Sequence, residues 1–328
     1  MKLICFGVRK VERAYFEKLN KFGYDLTLVE ELLNDSNIEM IKGHEAVMLR
    51  ANCPANRVNL EKMKSYGVKY LLTRTVGYNH IDLEAAYEMG FKMARVPRYS
   101  PNAIAELAVT FAMNLVRKGA YMVDRTRNKN FVVDEYMFSP EIRNLTVGVI
   151  GTGKIGYTCA KLFKGLGAKV IAYDLYPSEQ AKEFVEYVTL EELNKQADII
   201  TLHCPYCKGE NDKMINDNFI SNLKDGAIII NTARGELQDV DAIIRGIENG
   251  KIGGFGTDVF SNEKEFFFKD MTGKEIDKTV EKLISLYPRA LVTPHIGSYT
   301  DEALTNMIEI SYENLDEFLR TGDCANKL

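Results

Sequence analysis

The sequence has no apolar run long enough to cross a membrane, no excess of basic residues and no low-complexity tract. A spanning helix needs about 20 consecutive apolar residues, and the opening run, MKLICFGVRK, is also too short for the core of a signal peptide. A formal net charge of −4 creates no field that attracts nucleic acid or an anionic membrane. We therefore expect a cytoplasmic protein with no nucleic-acid or membrane partner.

The length and composition of the chain are typical of a globular protein with two domains. The chain has 328 residues, of which 46% are apolar and 27% charged, so it is too long for one ordinary core. Its six cysteines are scattered, several of them within apolar patterns. That distribution indicates reduced thiols in a cytoplasmic protein.

One cysteine-containing string needs separate attention. Cys204 and Cys207 enclose a proline and a tyrosine, which is the spacing of a redox-active dithiol. In such a dithiol a helix N-terminus lowers the pKa of the first thiol. The residues that follow, KGENDKMIN, predict a loop instead. We therefore do not expect disulfide exchange.

Short β-rich runs alternate with helical patterns along the chain, which predicts parallel sheets covered on both faces. Longer helical patterns occupy 101–118 and 301–319. The predicted fold class is α/β, with two Rossmann-like doubly wound parallel-sheet domains and an active-site cleft between them. The first domain is predicted at 1–100 plus 296–328, and the second at 101–295. The predicted strands are 2–7, 25–30, 45–50, 68–73 and 92–97, followed by 146–151, 168–174, 198–204, 225–232, 253–259 and 290–295.

A glycine-rich turn predicts a dinucleotide site in the second domain. The segment GTGKIG (151–156) follows a predicted strand and opens a helical pattern. In this context the first glycine permits a tight turn, the second lets a pyrophosphate approach, and the third allows close helix packing. Asp174 ends the next strand, where a carboxylate can accept hydrogen bonds from a ribose diol. Leu175 and Tyr176 follow it and offer no arginine for a 2′-phosphate, so NAD is favoured over NADP.

Charged side chains at later strand ends predict the chemistry beside this site. Arg234, Asp258 and His295 each end a predicted strand, and Glu263 lies five residues after Asp258, with Glu265 as a nearby alternative. Ligands in doubly wound sheets bind beyond the carboxyl ends of strands. A guanidinium can bind a substrate carboxylate, and an imidazolium with a carboxylate behind it can deliver a proton to a carbonyl oxygen. Hydride transfer to a 2-oxo acid needs these groups. No metal site is predicted.

Several motifs resemble those of the D-2-hydroxyacid dehydrogenases, in order and over nearly the whole chain. They are RTVGYNHIDLEAA (74–86), VPRYSPNAIAELA (96–108), GVIGTGKIG (148–156), NTARGE (231–236), TDVFSNE (257–263) and TPHIGSYT (293–300). The resemblance implies a catalytic trio of Arg234, Glu263 and His295, in which His295 is the proton donor during reduction. It also implies that the C-terminal helix completes the first domain. A homodimer formed through helix 101–118 is a further implication.

The resemblance also implies binding residues. Backbone amides of Val76 and Gly77 would hold the substrate carboxylate, and Asp258 would orient the nicotinamide amide. The predicted cofactor residues are Gly151, Thr152, Gly153, Lys154, Ile155, Gly156, Asp174, Leu175, Cys204, Pro205, Asn211, Thr232, Ala233 and Asp258. The predicted substrate residues are Arg50, Val76, Gly77, Arg98, Tyr99, Ser298 and Tyr299.

Three departures from the pattern of the lactate enzymes bear on the substrate. Arg98 stands where an alanine is expected, Arg50 ends a strand of the first domain, and Ser298 replaces an aromatic residue. An additional arginine can pair with a second carboxylate, and a smaller residue enlarges the pocket. LRANC, VPRYSPNAIAE and HIGSYTDEA resemble the branch that acts on (R)-2-hydroxyglutarate, so reduction of 2-oxoglutarate is favoured. Reduction to D-lactate or (R)-2-hydroxyisocaproate stays an alternative, as does a more remote one, an NAD-sensing corepressor. Both arginines could also be ordinary surface ion-pair residues.

Overall fold

A computed structural model describes residues 1–328, which form two compact units. The first contains residues 1–100 and 299–328, and the second contains residues 101–298. Residues 296–298, assigned above to the first domain, therefore fall in the second unit. The cause is local, because the N–H groups of Ile296 and Gly297 each donate a hydrogen bond of 2.8 Å to Asp258 of that unit.

The units are built from parallel strands and helices. The strands are β1 (Lys2–Cys5), β2 (Asp25–Leu28), β3 (Ala46–Leu49), β4 (Tyr70–Thr73), β5 (Lys92–Arg95), β6 (Thr146–Ile150), β7 (Lys169–Tyr173), β8 (Glu186–Tyr187), β9 (Ile199–Leu202), β10 (Ala227–Asn231), β11 (Ile252–Thr257) and β12 (Ala290–Val292). The α-helices are α1 (Arg13–Leu19), α2 (Arg57–Ser65), α3 (Leu83–Glu88), α4 (Pro101–Arg117), α5 (Gly119–Arg127), α6 (Lys154–Gly165), α7 (Leu190–Gln196), α8 (Asp217–Ser221), α9 (Val240–Glu248), α10 (Lys278–Ser285) and α11 (Asp301–Thr321). None of these helices combines the length and apolarity needed to cross a bilayer.

The first unit has a five-stranded parallel sheet in the order β2-β1-β3-β4-β5. Its strands are short and largely apolar because both faces are covered. One face packs against α2 and α3, and the other packs against α1 and α11, with Tyr312 and Leu315 fully buried. The C-terminal helix therefore completes the core of the unit that contains the first strands.

The second unit has a seven-stranded parallel sheet in the order β12-β11-β10-β9-β6-β7-β8. Helices α4 and α6 cover one face, and α8, α9 and α10 cover the other. Gly256 lets α4 lie against β11, since a Cβ there would come within 2.8 Å of the Phe111 ring. The strand order reverses between β6 and β9, and the carboxyl edge of such a switch point is where doubly wound sheets bind ligands.

The eleven strands predicted from the sequence are all present, and the predicted fold class of two parallel-sheet α/β domains is confirmed. The structure has one further strand that was not predicted, β8, which is a two-residue strand at the edge of the second sheet. It was not predicted because two residues carry no periodicity. The predicted helices at 101–118 and 301–319 correspond to α4 and α11.

Candidate active site

The glycine-rich turn lies at the carboxyl end of β6, where the strand order reverses. Gly151 has φ 90°, and a Cβ there would lie 2.6 Å from the backbone nitrogen of Cys204. At Gly156 a Cβ would lie 1.8 Å from the carbonyl oxygen of Gly151, so only glycine fits. The space at Gly153 is different, because a Cβ there would meet nothing within 4 Å. The turn thus packs tightly on its protein side and leaves the N-terminus of α6, which begins at Lys154, open to an anion.

Asp174 is held next to this turn by Thr152. Its Oδ2 accepts hydrogen bonds from the backbone N–H (2.5 Å) and the hydroxyl (2.9 Å) of Thr152, and its Oδ1 accepts one from the N–H of Tyr176 (2.8 Å). The hydroxyl of Tyr187 donates in turn to Thr152 Oγ1 at 2.7 Å. Tyr187 was missed in the sequence, since it lies on β8, which has no pattern of its own. The carboxylate therefore has a fixed orientation beside the turn.

The HCPYC string follows β9 and lies in a loop, because the next helix, α8, begins only at Asp217. The predicted absence of a helix start is confirmed. Both cysteines are free thiols, and burial raises the pKa of Cys204 to about 11. Asn211 closes the loop by donating to the Pro205 carbonyl (2.8 Å) and accepting from the Cys207 N–H (2.7 Å). A thiol with a raised pKa is a poor nucleophile, which argues against dithiol chemistry.

Two buried polar atoms near the ends of neighbouring strands lack partners in the protein. They are Nδ1 of His203, after β9, and the hydroxyl of Thr232, after β10. Buried polar atoms are nearly always hydrogen-bonded, so these two atoms are available to the polar groups of a bound ligand. Burial lowers the pKa of His203 to about 4, so its ring is neutral at pH 7. With the open turn and Asp174, these atoms fit a dinucleotide. Of the other predicted cofactor residues, Ile155 and Ala233 are half-buried, and Lys154 and Leu175 are exposed.

The predicted catalytic residues follow three adjacent strands. The strands β10, β11 and β12 are neighbours in register, with Asn231 beside Thr257 and Thr257 beside Val292. His295 follows β12, and its Nδ1 lies 2.7 Å from Oε1 of Glu263. The side chain of Glu265 is exposed and makes no contact with His295, so the geometry selects Glu263 of the two carboxylates. The imidazole is thus oriented through Nδ1, which leaves Nε2 to face a reacting group.

Asp258 holds the segment that carries His295. It is 2% exposed and accepts hydrogen bonds from the Thr293 hydroxyl (2.5 Å) and from the N–H groups of Ile296 and Gly297 (2.8 Å each). Burial raises the pKa of this carboxyl, and the three donors oppose that shift. The sequence did not reveal Thr293 as a partner, although it lies in the TPHIGSYT motif. The backbone of His295 has φ 54°, a left-handed conformation that these contacts keep in place.

Arg234 follows β10 and its side chain is exposed. Its guanidinium donates to the neighbouring Ala233 carbonyl (2.7 Å) and makes no bond to His295 or Glu263. Its backbone is fixed, because the Asn231 amide donates to the Arg234 carbonyl at 2.9 Å. The guanidinium of Arg234 is therefore available to bind the anionic group of a ligand.

The first unit carries most of the predicted substrate residues. The N–H groups of Val76 and Gly77 donate no hydrogen bond within the protein, while the Val76 carbonyl accepts one from Arg95 at 3.0 Å. Two adjacent unbonded N–H groups are donors that a bound anion can accept from. Arg50 donates to the hydroxyl of Tyr299 at 2.8 Å.

The remaining predicted substrate residues do not belong to a set of hydrogen-bond donors arranged to bind an anion. The Tyr99 carbonyl accepts a hydrogen bond of 2.5 Å from Asn306. Arg98 is exposed and makes no ion pair or hydrogen bond, and Ser298, in the second unit, is half-buried without a hydrogen bond. No group of three His, Cys, Asp or Glu side chains is placed to bind a metal ion.

Together the doubly wound sheet, the glycine turn and Asp174 define a dinucleotide-binding α/β protein, and the His–Glu pair at neighbouring strand ends is typical of a dehydrogenase.

Comparison with known proteins identifies the family. Residues 109–297 match the model described as "D-isomer specific 2-hydroxyacid dehydrogenase, NAD binding domain". An aromatic 2-oxoacid reductase of Clostridium sporogenes (strain ATCC 15579) is 42% identical, over 100% of this chain and 99% of its own. The D-lactate dehydrogenase of Escherichia coli (strain K12) is 38% identical over 100% of both chains. The solved structure of D-2-hydroxyisocaproate dehydrogenase superposes with a TM-score of 0.91 at 36% identity, over 100% of this chain and 99% of the other.

The chain therefore belongs to the D-isomer specific 2-hydroxyacid dehydrogenase family, and it is an NAD-dependent D-2-hydroxyacid dehydrogenase.

Proposed function

We propose that the enzyme reduces 2-oxoglutarate to (R)-2-hydroxyglutarate with NADH. The observation that carries the proposal is Arg50, which directly follows β3 and donates to Tyr299 at the same edge of the first sheet as the unbonded amides of Val76 and Gly77. These amides suit the carboxylate next to the reacting carbonyl. A second carboxylate needs a second cation, and Arg50 supplies one at that edge.

The chemistry follows from the residues of this chain. NADH, when bound along the glycine turn, Asp174 and Thr232, supplies the hydride. His295 donates a proton from Nε2 to the carbonyl oxygen of the substrate, and Glu263 holds the ring through Nδ1. Arg234 binds the carboxylate next to the carbonyl and polarises the carbonyl group. We assign Asp258 the positioning of residues 293–297 and, through its remaining acceptor capacity, of the nicotinamide amide.

The charges around Arg50 favour a dicarboxylic substrate. Burial and the nearby charge of Arg74 lower the pKa of Arg50 to about 10. Keeping the Arg50 side chain protonated in this place therefore costs free energy. A substrate carboxylate beside the guanidinium would relieve this cost through a bidentate pair. A substrate that ends in a methyl group cannot do so, and discrimination by such missing polar contacts is large.

The direct test is the variant Arg50→Ala, measured with 2-oxoglutarate and with 2-oxopentanoate, which has the same length but no second carboxylate. We expect kcat/KM for 2-oxoglutarate to fall about 100-fold, and that for 2-oxopentanoate to fall much less. Arg57→Gln is the matched control, since Arg57 is an exposed arginine of the same unit that pairs with Glu88. Equal losses on both substrates would refute the assignment of Arg50.

A second candidate is an aromatic 2-oxo acid, favoured by the 42% identity to the aromatic 2-oxoacid reductase. Tyr299 is 44% exposed, and its ring could stack on an aromatic substrate. Phenylpyruvate in the same assay distinguishes this candidate, and pyruvate and 2-oxoisocaproate test the lactate and hydroxyisocaproate alternatives. An NAD-sensing corepressor would turn over none of them.

We also propose that the protein is a cytoplasmic homodimer. Phe131, Val132, Val133 and Phe138 are 66–76% exposed, which is unusual for a segment with so many large apolar side chains. This segment follows α4 and α5, so it supports an interface beside the predicted helix, whose own apolar side chains are mostly buried in the unit. Analytical ultracentrifugation tests the assignment, and Phe131→Asp should shift a dimer towards monomer. The six free thiols are compatible with a reducing compartment.

A further inference from the structure

Three arginines of the first unit lie beyond the carboxyl ends of three neighbouring strands. Arg50 directly follows β3, Arg74 directly follows β4, and Arg9 lies four residues after the end of β1. We refer to these arginines together with Glu12 and Tyr299 as the arginine cluster. Carboxyl ends of adjacent parallel strands meet at one edge of a sheet, so the cluster is a product of the topology.

Glu12 connects two of the three arginines. Its Oε1 lies 2.9 Å from Nη1 of Arg9, and its Oε2 lies 3.0 Å from Nη2 of Arg74. Arg74 and Glu12 are only 3% and 4% exposed, and Arg74 also donates to the Gly7 carbonyl at 2.6 Å. Three guanidinium groups and one carboxylate give the cluster a formal charge of +2.

Tyr299 connects the other members. The guanidinium of Arg9 lies 4.3 Å from the centroid of its ring, and Nη2 of Arg50 donates to its hydroxyl at 2.8 Å. A phenolic hydroxyl that accepts from a guanidinium can also donate its own hydrogen. Because Tyr299 is 44% exposed, its hydroxyl and Arg50 together present two donors at the surface of the unit.

Gly7 lets Arg50 take this position. A Cβ at Gly7 would lie 3.2 Å from both Cβ and Cδ of Arg50, so the side chain of Arg50 runs across the backbone beyond β1. Gly7 also has φ 70°, which an L-residue rarely adopts. The stem of Arg50 is therefore confined by packing, and its guanidinium is positioned by Tyr299.

We infer that the arginine cluster is the subsite for the second carboxylate of the substrate, where Arg50 and the Tyr299 hydroxyl bind the carboxylate and Arg9 is a positioning residue that holds the ring of Tyr299. The inference rests on the proposed reduction of a dicarboxylic 2-oxo acid. It adds Arg9 to the residues that determine substrate specificity. It also assigns Tyr299 a hydrogen bond to the substrate instead of the ring stacking that an aromatic substrate would make.

The test uses steady-state kinetics of the whole enzyme with 2-oxoglutarate and 2-oxopentanoate. Tyr299→Phe keeps the ring under Arg9 and removes the hydroxyl, so KM for 2-oxoglutarate should rise about 10-fold while kcat changes less than about two-fold. Arg9→Met should lower the ratio of kcat/KM for 2-oxoglutarate to that for 2-oxopentanoate about three- to ten-fold. Arg9→Lys keeps a cation over the ring and should restore most of that ratio. Arg57→Gln is again the control.

The outcomes separate this inference from the proposed function. If Arg50→Ala lowers the ratio but Tyr299→Phe and Arg9→Met leave it unchanged, the subsite described for Tyr299 and Arg9 is wrong and the substrate assignment stands. If Arg50→Ala also leaves the ratio unchanged, the assignment of Arg50 is wrong, and the proposed function loses the observation that carries it. Equal losses on both substrates in Tyr299→Phe or Arg9→Met, with lower melting temperatures, would show a merely structural role and overturn the inference.

Discussion

The pair formed by Glu263 and His295 can be tested by changing its charge and its length separately. Glu263→Gln removes the negative charge but keeps an oxygen that can accept from Nδ1 of His295. Glu263→Asp keeps the charge but shortens the side chain by one methylene group, which breaks the 2.7 Å contact with Nδ1 of His295. Glu265, two residues away, is exposed and makes no contact with His295, so Glu265→Gln is a matched control.

The expected magnitude follows from the geometry of the pair. A hydrogen bond to a charged group contributes about 1.5–3 kcal/mol, which corresponds to about 10- to 150-fold in rate. The side chains of His295 and Glu263 are 41% and 21% exposed, so solvent screening favours the lower end of that range. We therefore expect kcat for reduction to fall about 10-fold in Glu263→Gln. The fall in Glu263→Asp should be similar or larger, because the ring loses its orientation.

The assay is NADH oxidation under saturating substrate, with NADH binding measured separately by fluorescence. NADH affinity should stay within about two-fold of wild type in all three variants, since the glycine turn and Asp174 are untouched. A wild-type kcat in Glu263→Gln would refute the reasoning. An equal fall in Glu265→Gln would mean that the wrong carboxylate has been assigned.

Two further predictions concern the second unit. Asp174→Ala should lower the preference for NADH over NADPH about 10-fold, because we propose that this carboxylate binds the ribose diol and repels a 2′-phosphate; unchanged KM values for both cofactors would contradict this role. His203 has a pKa of about 4 in the fold and 6.5 otherwise, so its contribution to stability is complete above pH 6.5 and is lost as the pH falls towards 4. Urea unfolding measures the free energy of unfolding at each pH. Between pH 6.5 and 4 this free energy should fall by about 2–3 kcal/mol less in His203→Gln than in the wild type. Identical pH profiles for the two proteins would argue against a buried neutral ring.

Much of the fold could be predicted because its strands are continuous apolar runs. In a sheet covered on both faces nearly every residue of a strand is buried, as in β3 and β10, and such runs are visible without any partner information. The edge strand β8 could not be predicted, since its pairing with β7 is fixed by the tertiary structure and not by its two residues.

The candidate site was predictable where the chemistry depends on strand ends. Arg234, Asp258 and His295 follow strands that the sequence shows, so their common edge could be anticipated. The choice between Glu263 and Glu265 could not be made from spacing, because both lie in one short 3-10 turn. Tyr187 escaped prediction for the same kind of reason, since its contact with Thr152 joins residues 35 positions apart.

The central claim is that this dehydrogenase selects a dicarboxylic 2-oxo acid. The most direct measurement is kcat/KM of the wild-type enzyme with NADH for 2-oxoglutarate, pyruvate and phenylpyruvate. The arginine cluster predicts the highest value for 2-oxoglutarate, at least about 10-fold above each of the other two. A higher value for pyruvate or phenylpyruvate would contradict it.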